Sequence, residues 1–445
     1  MKRYLLGLLM VISVFNALDR VALGIVLEDI KNALHATDTQ LGFLTGIAFA
    51  FFYSIAGIPI ARWADRGNRV SIISITAALW SIAVALCGAA GSFLQLLLIR
   101  IGVAVGESGC IPPTHSLLAE YFPRSERARA TAIFMLSTPL ALSVGYLASG
   151  WLNQAFGWRL TFVILALPGL VLALLAWFTL VEPRAVQRSA KANVCNPGSA
   201  TSQPSVREVC VTLWTNTAFR HLVVCYSVWA FFGWGILQWQ PAFFIRSHDV
   251  QTGELGTWFA GIYGLAGGLG VYLGGAWASR YAARNERLQL RVCGAAFVFF
   301  ALLTAAAHIA PNRYAAFGLL ALASLGGNVS QGPILGTIQT LVPPRMRAMS
   351  IALMYLFSNL IGAGLGPLAV GTLSDRLYPW LGEESLRWAL VILCPGYFWA
   401  AWHLWRASRT VLQDMRGAQT EEEAKSASEA LWRVHEQRPP QFNEV

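Results

Sequence analysis

Long apolar runs separated by short charged breaks dominate the chain. The first, YLLGLLMVISVF (residues 4–15), passes through NALDR (16–20) and resumes as VALGIVL (21–27). Crossing a bilayer as a helix takes about 20 apolar residues. Reading between the charged breaks gives twelve such stretches: 4–27, 41–61, 70–91, 94–119, 128–152, 160–181, 221–245, 256–279, 290–309, 314–341, 348–373 and 387–405. The pattern predicts an all-α integral membrane protein. The first stretch is longer than the apolar core of a secretory signal peptide and lacks a following small-residue cleavage site.

Composition points the same way. Only 13% of residues are charged and 56% are hydrophobic, against about 25% charged in soluble domains, so this chain belongs in lipid. Its net charge of +10 does not indicate nucleic acid, because the arginines sit in short loops between apolar spans. Lys2, Arg3, Arg62, Arg66, Arg69, Arg124, Arg127, Arg129, Arg280, Arg287, Arg291, Arg345 and Arg347 all fall on one side. Glu28, Asp29, Asp38, Asp249, Glu254, Asp375, Glu383 and Glu384 fall on the other. The excess of positive charge in cytoplasmic loops then places both termini in the cytoplasm. The seven cysteines are scattered without a CxxC spacing, which suits packing residues and indicates neither a disulfide framework nor a metal site.

A polar segment rich in Pro, Ser and Asn, 183–219, divides the chain into halves at 1–182 and 220–410 and reads as a cytoplasmic linker. Residues 411–445 read as a charged cytoplasmic tail. The halves resemble each other: Leu41, Gly42, Trp63, Ala64 and Arg66 align with Leu255, Gly256, Trp277, Ala278 and Arg280. Further along, RARATAI (127–133) aligns with RMRAMSI (345–351), and GYLASGWL (145–152) with GPLAVGTL (366–373). Collinear windows of this kind mark an internal repeat. Two parallel six-helix repeats are a transporter architecture, with the substrate site between them near mid-membrane. No Walker A sequence or catalytic constellation occurs, so neither ATP-driven transport, an enzyme, nor a cofactor is expected. GAGLGP (362–367) lies inside an apolar span and reads as close helix packing or bending. His115 and His308 read as polar packing residues.

The intramembrane charges carry the candidate chemistry. A charge at depth costs roughly 2.5–3.5 kcal/mol on insertion scales, so it needs a partner or a function. At about 1.5 Å per residue, Asp19 lies roughly 12 Å below the outer surface and Arg100, on a span running the other way, roughly 10 Å. They are level, and Glu107 lies about 10 Å deeper on the same face of its helix. With Arg20, these four charges sum to zero. Protonating one acid leaves a net positive site able to hold an anionic head group; which acid titrates stays open. The alternative is that they are structural ion pairs locking span 1 to span 4. The second half offers neutral groups in the matching place, Asn328 and Gln331 in GGNVSQGP (326–333). Span 7 adds an aromatic and amide wall, with Trp229, Phe232, Trp234, Gln238, Trp239 and Gln240. Asn16 and Asn359 complete the candidate cavity residues. For each aromatic, lipid exposure or packing between helices is the competing reading.

ARWADRGNR (61–69) resembles the loop 2–3 signature of the major facilitator superfamily, with Asp65, Arg66 and Arg69 in place and Ala61 where glycine is usual. LLLIRIGVAVGES (96–108) is similar to its Arg-bearing span-4 motif. NALDR, RIGVAVGESG (100–109), PPTHSLLAEYFP (112–123) and RARATAIF (127–134) together resemble the Spinster-like branch. Ala17 and Ser108 depart from its pattern without removing a charge. The resemblance implies the major facilitator fold, twelve transmembrane helices in two pseudo-symmetric six-helix halves. It implies a proton-coupled transporter in which Asp19 and Glu107 serve coupling or substrate binding and Arg100 is their partner. It further implies that Asp65 latches the cytoplasmic side, pairing with Arg127 or Arg129. Because Spinster relatives move sphingoid or lysophospholipid molecules, the expected substrate is a lipid-like or amphipathic organic anion. A facilitator of small organic acids, aromatic or sugar acids, is the rival expectation, and a non-transporting membrane sensor is a third. The expected setting is a bacterial inner membrane, as a monomer.

Overall fold

The computed structural model describes residues 2–183, 213–282, 285–342 and 346–415. Most of the expected linker and tail, and the side chains of Asp65, Arg124 and Arg347, lie outside the described residues. The described residues form twelve long helical segments. In order they are α1 Lys2–Ile25, α2 Asp38–Ala64, α3 Arg69–Cys87, α4 Phe93–Tyr121, α5 129–156 and α6 158–179 in the first half. The second half holds α7 Thr217–His248, α8 Thr252–Tyr281, α9 Glu286–Ile309, α10 313–341, α11 347–381 and α12 385–415. Side chains such as Leu94 (62% exposed) and Phe178 (78% exposed) cover the outside, an apolar surface that only a lipid environment satisfies. The first apolar stretch ends as a membrane helix at Ile25, and Leu27–Leu34 forms a separate short helix carrying Glu28 and Asp29.

Glycine and proline set the breaks that matter. Gly157 takes φ 75° and ψ 168°, a conformation open to glycine alone, and it turns α5 back into α6. Helix α4 stops at Glu107 and restarts at Ile111. Pro112 and Pro113 supply no N–H at that point. Helix α10 breaks in the same manner, between Asn328 and Gln331 ahead of Pro333. The two breaks occupy equivalent places in the halves, so Asn328 stands where the first half has Glu107. Two π-helical segments, Ala260–Ala266 in α8 and Ser358–Leu365 in α11, widen the helices that cross between the halves.

The internal repeat lines those crossings. A Cβ on Gly42 of α2 would collide with the Pro367 carbonyl of α11, and one on Gly256 of α8 with the Tyr146 carbonyl of α5. Gly42 aligns with Gly256 and Tyr146 with Pro367, so one contact is built twice. Gly371 likewise meets Asp38, and its repeat mate Gly150 meets Thr252. The capping is duplicated too. Asp375 of α11 accepts from the Thr39 N–H at the start of α2 (2.7 Å), and Gln154 of α5 accepts from the Gly253 N–H at the start of α8 (2.9 Å). Helix N-terminal N–H groups have no intrahelical acceptor, so each half supplies one across the interface. GAGLGP packs as the sequence predicts, with Gly362 against Ala230 and Gly366 against Phe231 and Gly235 of α7.

Gly256→Val should hold the α5–α8 crossing apart, because the Tyr146 backbone cannot yield to a branched side chain. A cysteine introduced at Thr257, with Cys195→Ser and Cys210→Ser in the background, should react with a maleimide faster in that variant than in its parent. Equal labelling rates would overturn the expectation.

Candidate functional site

The site forms where α1 passes the broken helix α4. Asp19 and Arg20 are consecutive on α1, so their side chains diverge by about 100° around the helix axis. Asp19 turns to Arg100, with Nη1 to Oδ2 at 2.5 Å, and Arg20 turns to Glu107, with Nη2 and Nε at 2.8 and 2.9 Å from Oε2. The expected level pairing of Asp19 with Arg100 is present, and Glu107 has its own partner in Arg20. The break after Glu107 leaves its carbonyl to accept from the Asn16 side chain at 3.4 Å. The structure therefore brings Asn16, Asp19, Arg20, Arg100 and Glu107 together.

Burial separates the four charges. Side-chain exposure is 4% for Asp19, 2% for Arg100 and 0% for Glu107, but 40% for Arg20. Each carboxyl keeps one oxygen buried without a partner, Asp19 Oδ1 and Glu107 Oε1, and Arg100 Nε is unpartnered as well. Asp19 and Glu107 lie close enough for the charge of one to bear on the other. Two neighbouring carboxyls with spare buried oxygens make a site whose charge balance a single proton alters. Two rings missed by the sequence reading close it. Phe49 of α2 lies under both guanidiniums, 5.0 Å from Arg20 and 5.3 Å from Arg100, and Tyr53 lies 5.3 Å from Arg20. They sit four residues apart on one helix face, a spacing that a search for cation–π partners could have flagged.

The other cavity candidates divide. Trp229 keeps Nε1 buried without a partner and stacks on Phe297 at 6.3 Å. Gln238 abuts Gly24 of α1, across the two halves, with Nε2 unpartnered. Phe232 packs on Tyr397, and Trp234 is 43% exposed. Asn359 is exposed, and Asn328 bonds to the Ser324 carbonyl and to Gln331 within α10. Two span-7 residues leave the expected cavity wall. Trp239 is fully buried and donates to the Pro367 carbonyl at 2.9 Å, and Gln240 accepts from Tyr263. Both serve the packing of the second half.

The gating candidates also separate. Arg66, Arg127 and Arg129 are exposed, and Arg127 donates to the Ala119 carbonyl. Arg69 is instead fully buried, ion-paired to Glu182 and Glu120 and bonded to Ser116. It ties the start of α3 to the ends of α4 and α6 inside one half. At the opposite membrane surface, a network without any sequence motif joins the halves. Arg246 of α7 grips Asp38 with two 2.8 Å bonds and Glu28 at 2.7 Å. Lys31 reaches Asp38 at 2.9 Å and Ser374 donates to it at 2.7 Å. Asn153 of α5 bonds Asp29 at 2.5 Å beside it.

Two six-helix repeats that meet at crossings of this kind, with a buried charge cluster in one of them, have the architecture of a secondary transporter. The Major Facilitator Superfamily profile matches residues 9–367, and the chain belongs to that family. Among curated relatives, an MFS-type efflux pump of Mycolicibacterium smegmatis is 32% identical over 391 residues, covering 87% of this chain and 88% of the pump. Protein spinster homolog 1 of Xenopus tropicalis is 25% identical over 415 residues, covering 86% and 76%. Among solved structures, a bacterial homolog of the human lysosomal transporter Spinster, in an inward-facing and unoccupied conformation, superposes with a TM-score of 0.83. It is 29% identical, with 93% of this chain and 98% of that one covered. The chain is thus a Spinster-like membrane transporter and not an enzyme.

Proposed function

We propose that this transporter moves an amphipathic, lipid-like organic anion by alternating access, coupled to protons. One observation carries the proposal: Arg20 is 40% exposed while its partner Glu107 is sealed. An arginine facing lipid at this depth is costly, so its open side is assigned to the space between the halves. A proton on Glu107 removes the charge opposing Arg20, and an anionic head group takes that role. Charge balance then links one proton to one anionic charge. Asp19 and Arg100, both sealed, hold the neighbouring charge in place. Trp229, Phe232, Trp234, Gln238, Asn328, Gln331 and Asn359 of the second half supply the opposing apolar and amide wall.

The Arg246 network and the two glycine crossings close one face, which the loop charges assign to the outer side of a bacterial inner membrane. Both termini, the linker between α6 and α7 and the tail after α12 then lie in the cytoplasm, and the monomer is the working unit. Asp65, with Arg66, Arg127 and Arg129, is assigned to closure of the cytoplasmic face in the alternate state. Arg69 supports that loop from within its half.

Thermal unfolding of the purified protein tests the substrate class. Oleoyl lysophosphatidylglycerol should raise the melting temperature of the wild type and leave Arg20→Gln unmoved, whereas gluconate and benzoate should move neither. Stabilisation by the small carboxylates but not by the lysolipid would replace this reading with a facilitator of small organic acids.

A further inference from the structure

A second cluster lies away from the four charges, where the start of α7 meets the end of α12. His221 and His403 share a hydrogen bond between their Nδ1 atoms at 2.9 Å, one ring donating and the other accepting. Trp402 stands edge-on to both, at 6.0 and 4.8 Å between centroids. Arg406 lies over the Trp402 ring at 5.6 Å and Arg409 over Trp405 at 3.6 Å. Arg220 is exposed beside His221. Among the described residues, Arg220 and Arg406 are the charged groups that act on the histidine pair. Within 396–415 the sole acid is Asp414, and it is engaged by the Ala218 N–H at 2.7 Å.

The surface around the pair is divided along the membrane normal. Trp399, Trp402 and Trp405 are 54%, 47% and 41% exposed, and Val224 of α7 is 37% exposed. Spacings of three and four place Trp402, Trp405, Arg406 and Arg409 on one face of α12, with the arginines nearer the helix end. Exposed tryptophans on a membrane helix mark the interface between hydrocarbon and head groups. The arginines therefore stand at head-group level, and among the described residues none of the three is held in an ion pair. Guanidinium groups match phosphate oxygens in geometry as well as charge.

We propose that Arg220, Arg406 and Arg409 bind the phosphate of an anionic phospholipid in the leaflet at this end of the protein. The acyl chains run along Val224 and Trp399, and the His221–His403 bond keeps the two helices together as the floor. The site is on the outer surface of the second half, so it is separate from the transported molecule. It requires neither proton coupling nor a particular membrane orientation.

The test uses the full chain in detergent with dioleoyl phosphatidylglycerol or dioleoyl phosphatidylcholine, read by native mass spectrometry. The wild type should retain the anionic lipid preferentially. Each arginine changed to glutamine (Arg220→Gln, Arg406→Gln, Arg409→Gln) should lower that preference about fivefold, the weight of one basic residue at a charged membrane surface. Arg406→Lys should lower it less. A triple variant with the wild-type preference would overturn the site. If the triple variant does not fold, photo-crosslinking of head-group-labelled phosphatidylglycerol to the wild type decides. Crosslinks at 214–224 and 399–415 support the site, and crosslinks confined to other helices overturn it.

Discussion

Glu107→Gln should abolish pH-gradient-driven uptake in proteoliposomes while leaving substrate exchange between the two sides intact. The glutamine keeps the shape of the side chain and can still hydrogen-bond, but it cannot carry the exchangeable charge. Arg20 then sits permanently without its counter-charge, as it would beside a protonated Glu107. A gradient has nothing left to act upon at this position, while a bound anion still finds the Arg20 guanidinium. The contrast between lost driven uptake and retained exchange is the informative result. Unchanged driven uptake would remove Glu107 from the coupling site and leave Asp19 as the candidate acid.

The second large effect is on stability. Arg100→Met should destabilise the protein by about 3–5 kcal/mol, because removing one member of a buried ion pair strands the other charge. Asp19 has 4% of its side chain exposed, and Arg100 Nη1 at 2.5 Å is its ion-pair partner. Asp19→Asn in the same chain should recover most of the loss, since the neutral amide no longer needs a cation. Unfolding followed in detergent, by temperature or denaturant, measures both variants. A single variant that unfolds with the wild type would show that Asp19 finds water or another donor. An unrescued double variant would place the loss in the packing of the guanidinium on Phe49 instead.

The fold was legible because apolar length and repetition are local properties of the chain. Twelve runs of sufficient length and a duplicated LG…W-A-x-R pattern need no knowledge of contacts. Glycine positions were legible as a repeat but not as crossings. Only the assembled halves reveal that Gly42 and Gly256 are there because a carbonyl of the opposing half passes too close for a Cβ. Arg69 shows the converse. Its motif places it in a loop beside Asp65, yet it is buried against Glu182 and Glu120, acids far from it in sequence whose approach depends on how α3, α4 and α6 pack.

At the charged site, the sequence by itself singled out four ionisable residues. Four ionisable groups in apolar helices are too costly to be incidental, and helix rise puts Asp19 level with Arg100. The tertiary structure decided the pairing. Arg20 turns to Glu107, because consecutive helix positions point in different directions and α4 breaks where Glu107 ends its first segment. It also decided the asymmetry of exposure, sealing Asp19, Arg100 and Glu107 while leaving Arg20 open, and it brought in Phe49 and Tyr53. The Arg246 network and the His221–His403 cluster belong wholly to that second level. Each joins residues from distant helices, and the pattern within a single helix carries no record of which neighbour it will meet.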